Sequence, residues 1–187
     1  MSSSSTRRRR AAEEKLRRKL EREPIVLAFD YHPRALAYQG PVIITDLTIT
    51  LAHREALQQA GQSIPAAVRC RFLVDTGADG TVVKHEFAER AGLKLISDNM
   101  SLHGVGVDTT GKAYIGRIAF AVASKLADAK HEMFVDTQIM GGKLESDSID
   151  GLIGRDVLQH FQLIYDGHTG AIRMKWYRPE ASAAVAQ

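Results

Sequence analysis

Cysteine is almost missing from this 187-residue chain, which has only Cys70. That excludes an intrachain disulfide and any metal site built on several cysteines. The default for Cys70 is a small buried hydrophobe, since no histidine is placed by sequence to activate it. Aromatics are scarce at 6%, and no run approaches the roughly 20 apolar residues that cross a bilayer as a helix. No transmembrane segment is therefore expected. The early basic residues have no apolar stretch behind them, which argues against an ordinary secretory leader. A chain that does not depend on an oxidising compartment is expected in the cytoplasm. With 15 glycines and 5 prolines, collagen-like and low-complexity readings fail. Of the 7 histidines, no two stand in an HxxxH or HExxH spacing, so no metal and no cofactor are expected.

What is present suffices for one packed domain, with 44% hydrophobic and 25% charged residues. The charge is uneven. Residues 1–23 carry nine Lys or Arg against four Glu, and the remainder carries 16 against 18. The net charge of +3 therefore describes a basic tail on a mildly acidic body. Such a tail, partly helical or disordered, suits either plain solvation or contact with an anionic partner. Residues 24–40 read as a linker or extra N-terminal segment, irregular apart from the apolar run IVLAF. From Pro41 the pattern changes. PVIITDLTITL and AAVRCRFLVDTG are β-rich, the second alternating Cys70, Phe72 and Val74 with Arg69, Arg71 and Leu73. A short helix or broad hairpin tip is expected over 52–61, and a short helix over 84–91 stopped by Gly92. HGVGVDTTG reads as a glycine-rich hairpin, and AYIGRIAFAVA and HEMFVDTQI as strands. GLIGRDVLQHF passes from a strand into a helix over 155–161. FQLIYDGHTGAIRMKWY is a terminal hairpin, with DG and TG in its turn. The sum is an all-β domain over residues 41–177 with short helices, followed by a flexible tail at 178–187.

The informative segment is FLVDTGADGTVV, residues 72–83. A carboxylate at the end of an apolar strand needs donors, a partner or a proton. Thr76 offers a hydroxyl, and Gly77 an unobstructed backbone N–H. Taken alone, the tripeptide is equally a turn in which Asp75 caps local N–H groups. Two further features stand beside it: the glycine-rich hairpin at 103–111, and the run LIGRD at 152–156.

Together these motifs closely resemble retropepsin-like aspartic proteases, the retroviral type and its cellular and bacterial relatives. DTGADGTVV (75–83) is similar to their catalytic loop, LIGRD (152–156) to their second signature, and HGVGV (103–107) lies where their flap belongs. The longer segment before Asp75 and the longer C-terminal hairpin fit a cellular or bacterial relative better than a virion enzyme. The resemblance implies a retropepsin-like closed barrel with one active-site lobe per chain. It implies a homodimer, because the chain holds one DTG, with Asp75 of each subunit sharing a proton across a two-fold axis. Asp75, Thr76 and Gly77 would then be catalytic, with Thr76 bonding across the axis. Asp79, Val82, Gly104, Val105, Gly106 and Leu152 would bind an extended polypeptide, with the flap glycines permitting closure. Arg155 and Asp156 would be structural supports, Arg155 in a partly buried pair with Asp79 whose rupture costs about 3–5 kcal/mol. The implied activity is that of an aspartic endopeptidase. The alternatives are a non-proteolytic dimerisation or peptide-binding module of the same fold, and an anion- or nucleic-acid-binding protein working through its tail.

Overall fold

The computed structural model describes residues 24–104, 107–121 and 132–177. Within them the chain runs β1 (Ile25–Asp30), α1 (Pro33–Gln39), β2 (Val42–Thr48), α2 (Leu51–Gln59), β3 (Val68–Val74), β4 (Thr81–Lys84), α3 (His85–Arg90) and β5 (Lys94–Gly104). It continues through β6 (Val107–Ala121), β7 (Glu132–Gly142), β8 (Gly151–Ile153), α4 (Arg155–Leu158), β9 (Phe161–Asp166) and β10 (Ala171–Trp176). The N-terminal tail and the last ten residues lie outside the described range.

The expected all-β barrel with short helices is what forms. Strands pair in the order β2-β3-β8-β4-β7-β6, and β6 returns to β2 through Asp46↔Ala119, Leu47↔Ile118 and Thr48↔Arg117, which closes the ring. Closure leaves these six strands without a free edge along that ring. The N-terminal half of β6 instead pairs β5, from Lys94↔Ile115 to Gly104↔Val107, and forms a long hairpin attached to the barrel.

Alternation along β3 fills the interior. Val68, Cys70, Phe72 and Val74 are buried, while Arg69 and Arg71 face out. Phe72, Ile43, Leu47, Val83, Ile118, Ile139 and Ile153 are fully enclosed. Each such side chain contributes about 1.5–3 kcal/mol of burial free energy. Helix α3 ends where Gly92 takes a left-handed φ of 64°, the conformation for which glycine is the natural residue. Helix α4 stops at Leu158, short of the expected 161, because Phe161 already belongs to β9.

Residues 24–40 are more regular than their composition suggests. IVLAF pairs antiparallel with β10, from Ile25↔Trp176 to Asp30↔Ala171, a partner that no local pattern reveals. Pro33 starts α1, and the His32 ring accepts from the Arg34 N–H at 3.3 Å. The three-stranded sheet β1-β10-β9 covers the barrel, and Leu27 and Met174 join its core. In the β9–β10 turn, the Asp166 carboxylate accepts from the backbone N–H groups of His168 and Thr169 at 3.0 and 3.1 Å. Only the second turn glycine, Gly170, has a positive φ.

Candidate active site

Asp75 follows the last residue of β3. Pairing with β8 fixes this end of the strand, with Leu73↔Leu152 and Val74↔Ile153 in parallel register. The Asp75 N–H continues that ladder by donating to the Ile153 carbonyl at 3.0 Å. The chain then turns, as Ala78 N–H donates to the Asp75 carbonyl at 3.3 Å. One carboxylate oxygen of Asp75 accepts from the Gly77 N–H at 2.8 Å. A Cβ built at Gly77 would lie 3.1 Å from that same oxygen, so the missing side chain keeps the approach open. Asp75 is half-buried, while Thr76 and Gly77 are exposed.

A second loop holds the first. Arg155 N–H donates to the Ala78 carbonyl at 2.9 Å, and Asp156 N–H to the Asp79 carbonyl at 3.2 Å. The Arg155 guanidinium donates to the carbonyls of Thr76 and Gly77 at 2.9 and 3.1 Å and also pairs with Asp79. Gly154 makes the approach possible, because a Cβ there would fall 2.5 Å from the backbone of Gly80. Val82 and Leu152 face one another across β4 and β8, both half-buried.

The Asp79–Arg155 pair needs one correction. The side chains are 89% and 53% exposed in the single chain, so water already screens both charges. The pair therefore belongs with surface ion pairs worth about 0–1 kcal/mol, below the value expected for a buried one.

Asp75, Thr76, Gly77, Asp79, Val82, Leu152, Arg155 and Asp156 thus fall in one pair of interlocked loops and the strands that carry them. Gly104 ends β5 opposite Val107 in the long hairpin. Val105 and Gly106 lie outside the described residues.

Sequence reasoning missed the polar ties beneath the loops. Thr81 and Thr137 both donate hydroxyl hydrogen bonds to the Asp156 carboxylate, each at 2.9 Å, and Thr81 also accepts from the Gly154 N–H at 3.3 Å. Thr81 is fully buried. Asp150 is the other omission. It is 6% exposed and accepts from the Arg71 N–H, Nε and Nη2 at 2.8, 3.1 and 2.9 Å. The Arg71 side-chain hydrogen bonds hold its carboxyl below the usual range, against the opposing effect of burial. Neither tie has a local signal, because the partners are distant in sequence.

Cys70 is buried, and desolvation pushes its thiol up to about 12, so it stays protonated and unreactive. Among the described residues, no group of three or more His, Cys, Asp or Glu is placed to hold a metal ion, and no helix is long and apolar enough to cross a membrane.

A carboxylate thus stands at a strand end, pinned by a glycine N–H and locked by an Arg-bearing loop, an arrangement suited to aspartate-based hydrolysis. Comparison with known families agrees: the profile described as Aspartyl protease matches residues 61–157. The match spans more than half of the chain and contains both interlocked loops, and the chain belongs to the aspartyl protease family. Membership supports a hydrolytic, protease-type activity based on an aspartate. Among curated proteins, nothing matches.

Proposed function

We propose that the protein is a homodimeric aspartic endopeptidase in which Asp75 of each subunit forms one catalytic dyad. The observation that carries this reading is the placement of Asp75. Its carboxylate accepts from the Gly77 N–H at the end of β3, beside exposed Thr76 and Gly77, in a chain with a single DTG. The exposed loop is free to meet a second copy, with Thr76 bonding across the axis.

Two such carboxylates in contact cannot both carry charge at low cost, so the pair titrates as one unit and shares a proton. The ionised member takes a proton from a water held between them. The oxygen of that water attacks the scissile carbonyl, while the protonated member hydrogen-bonds to and protonates the developing oxygen. The tetrahedral diol collapses, the C–N bond breaks, and a proton passes to the leaving nitrogen. No covalent intermediate arises. Fixed donors around the growing charge lower the barrier.

The substrate lies extended between the loops and the β5–β6 hairpin. It gains backbone hydrogen bonds as an added strand would. Val82 and Leu152 offer apolar walls, Asp79 meets the substrate backbone, and the β5–β6 hairpin closes over it. A cellular or bacterial enzyme acting in the cytoplasm fits this reading.

The test is cleavage of an unfolded polypeptide across pH 3–8. The wild type should cleave with an acid-favoured profile and be blocked by a statine-type transition-state mimic. Asp75→Asn should abolish cleavage while leaving the fold intact. Equal cleavage by that variant would overturn the assignment.

A further inference from the structure

We propose that His85 is a positioning residue for the β5–β6 hairpin, and that protonation of its ring exchanges one partner, Lys112, for another, Glu89. The catalytic consequence rests on reading that hairpin as the flap of a peptide cleft; the exchange itself stands on geometry alone.

His85 opens α3, and its ring reaches β6. Nδ1 lies 2.8 Å from the Tyr114 hydroxyl. Nε2 lies 3.1 Å from the Lys112 ammonium and 2.9 Å from a Glu89 carboxylate oxygen. Glu89 is itself 3.7 Å from Lys112. Two partners of opposite sign therefore converge on one ring nitrogen, and no single protonation state suits both.

A neutral ring protonated on Nδ1 donates to Tyr114 and presents a lone pair at Nε2, which accepts from Lys112. A protonated ring donates from both nitrogens. It keeps Tyr114, gains Glu89 through Nε2–H, and repels Lys112. The Tyr114 phenol stays neutral in both states, since burial, and then the Glu89 charge, raise it above its ordinary value. Acidification therefore removes one of the two lysine ties between α3 and β6, the contact with His85, and leaves Lys112 held to α3 by Glu89 alone. Imidazoles make this charge change between about pH 5 and 8.

The surroundings favour such an exchange. Gly141 on β7 leaves the space the ring occupies, as a Cβ there would lie 2.7 Å from the Tyr114 ring and 3.3 Å from His85 Nδ1. A cavity of about 650 Å³ opens on the cluster and admits water and protons. Charges of both signs face it. They are Lys84 from β4, Glu86 from α3, Asp98 from β5 and Lys143 after β7, beside Glu89 and Lys112. The near balance leaves the ring's immediate partners to decide the exchange.

Lys112 lies five residues beyond Val107, where the described part of the returning arm begins. Its two contacts with α3, to His85 and to Glu89, hold that arm against the barrel, and losing the first of them loosens the hairpin.

Hydrogen exchange of the full chain at pH 5 and pH 8, expressed as protection relative to the β9–β10 hairpin, tests the proposal. In the wild type, protection of the β5–β6 arms should fall on acidification by about fivefold or less, the scale of one partly exposed charge contact. His85→Gln should remove that pH dependence. Lys112→Gln should remove it too while keeping the His85–Tyr114 bond, and it carries the test if the first variant fails to fold. PH dependence that persists in Lys112→Gln, or is missing from the wild type, overturns the proposal. A wild type that cleaves nothing defeats the protease reading and leaves the exchange result to decide this one.

Discussion

Asp150 bears on how this protein tolerates acid. Its carboxyl is depressed chiefly by the Arg71 side chain, so its folded-state value lies below its unfolded one. A depressed carboxylate contributes stability above the unfolded value of about 4, and that contribution is lost as pH falls through the folded value. Asp150→Ala should therefore cost about 2 kcal/mol at pH 7, short of a fully buried pair because Arg71 keeps 45% of its side chain in water. The gap between wild type and variant should shrink below about pH 4 in chemical denaturation. Asp79→Ala, by contrast, should change the stability of the single chain by about 1 kcal/mol or less. Legibility differs between these residues for a physical reason. Asp75, Thr76 and Gly77 are neighbours whose chemistry is shared within one turn, so the string shows them. Thr81 and Thr137 meet Asp156 only after the strands have paired; Thr81 stands inside the loop motif, but nothing in that motif names its partner, and no neighbour marks Thr137.

The sharpest constraint among the elements is the crossing of the two loops. Gly154 sits where any side chain would strike the backbone of Gly80, an atom group that cannot rotate away. Gly154→Ala should cost about 1–3 kcal/mol by overpacking and shift Asp75 away from its Gly77 donor. Thermal unfolding would read the first effect and cleavage rate the second. Phe72→Ala should cost about 3–5 kcal/mol with no direct effect on the loop chemistry, since its ring lies wholly inside the barrel. Strand β3 was readable because alternation reports burial directly. The β9–β10 hairpin was readable because its turn residues are local. Strand β1 was not, because its partner β10 lies at the other end of the domain and its five apolar letters carry no partner's address. Helix α1 buries only Leu36 and is defined by its caps more than by an apolar face.

For the whole molecule, the closed barrel carries Asp75 at the end of β3, where pairing with β8 and the Gly77 N–H set its place, and one chain supplies one such acid in this loop. The family's chemistry, as proposed here, needs two, so the central claim concerns assembly. Subunit mixing tests it most directly. Wild type and Asp75→Asn chains are unfolded together in equal amounts, refolded, and assayed for cleavage at fixed total chain. Random pairing makes about a quarter of the dimers fully wild type, since each needs two intact copies. A site shared by two subunits predicts about a quarter of the wild-type rate. Half the wild-type rate at every dilution would mean that each chain works alone, and would contradict the shared dyad.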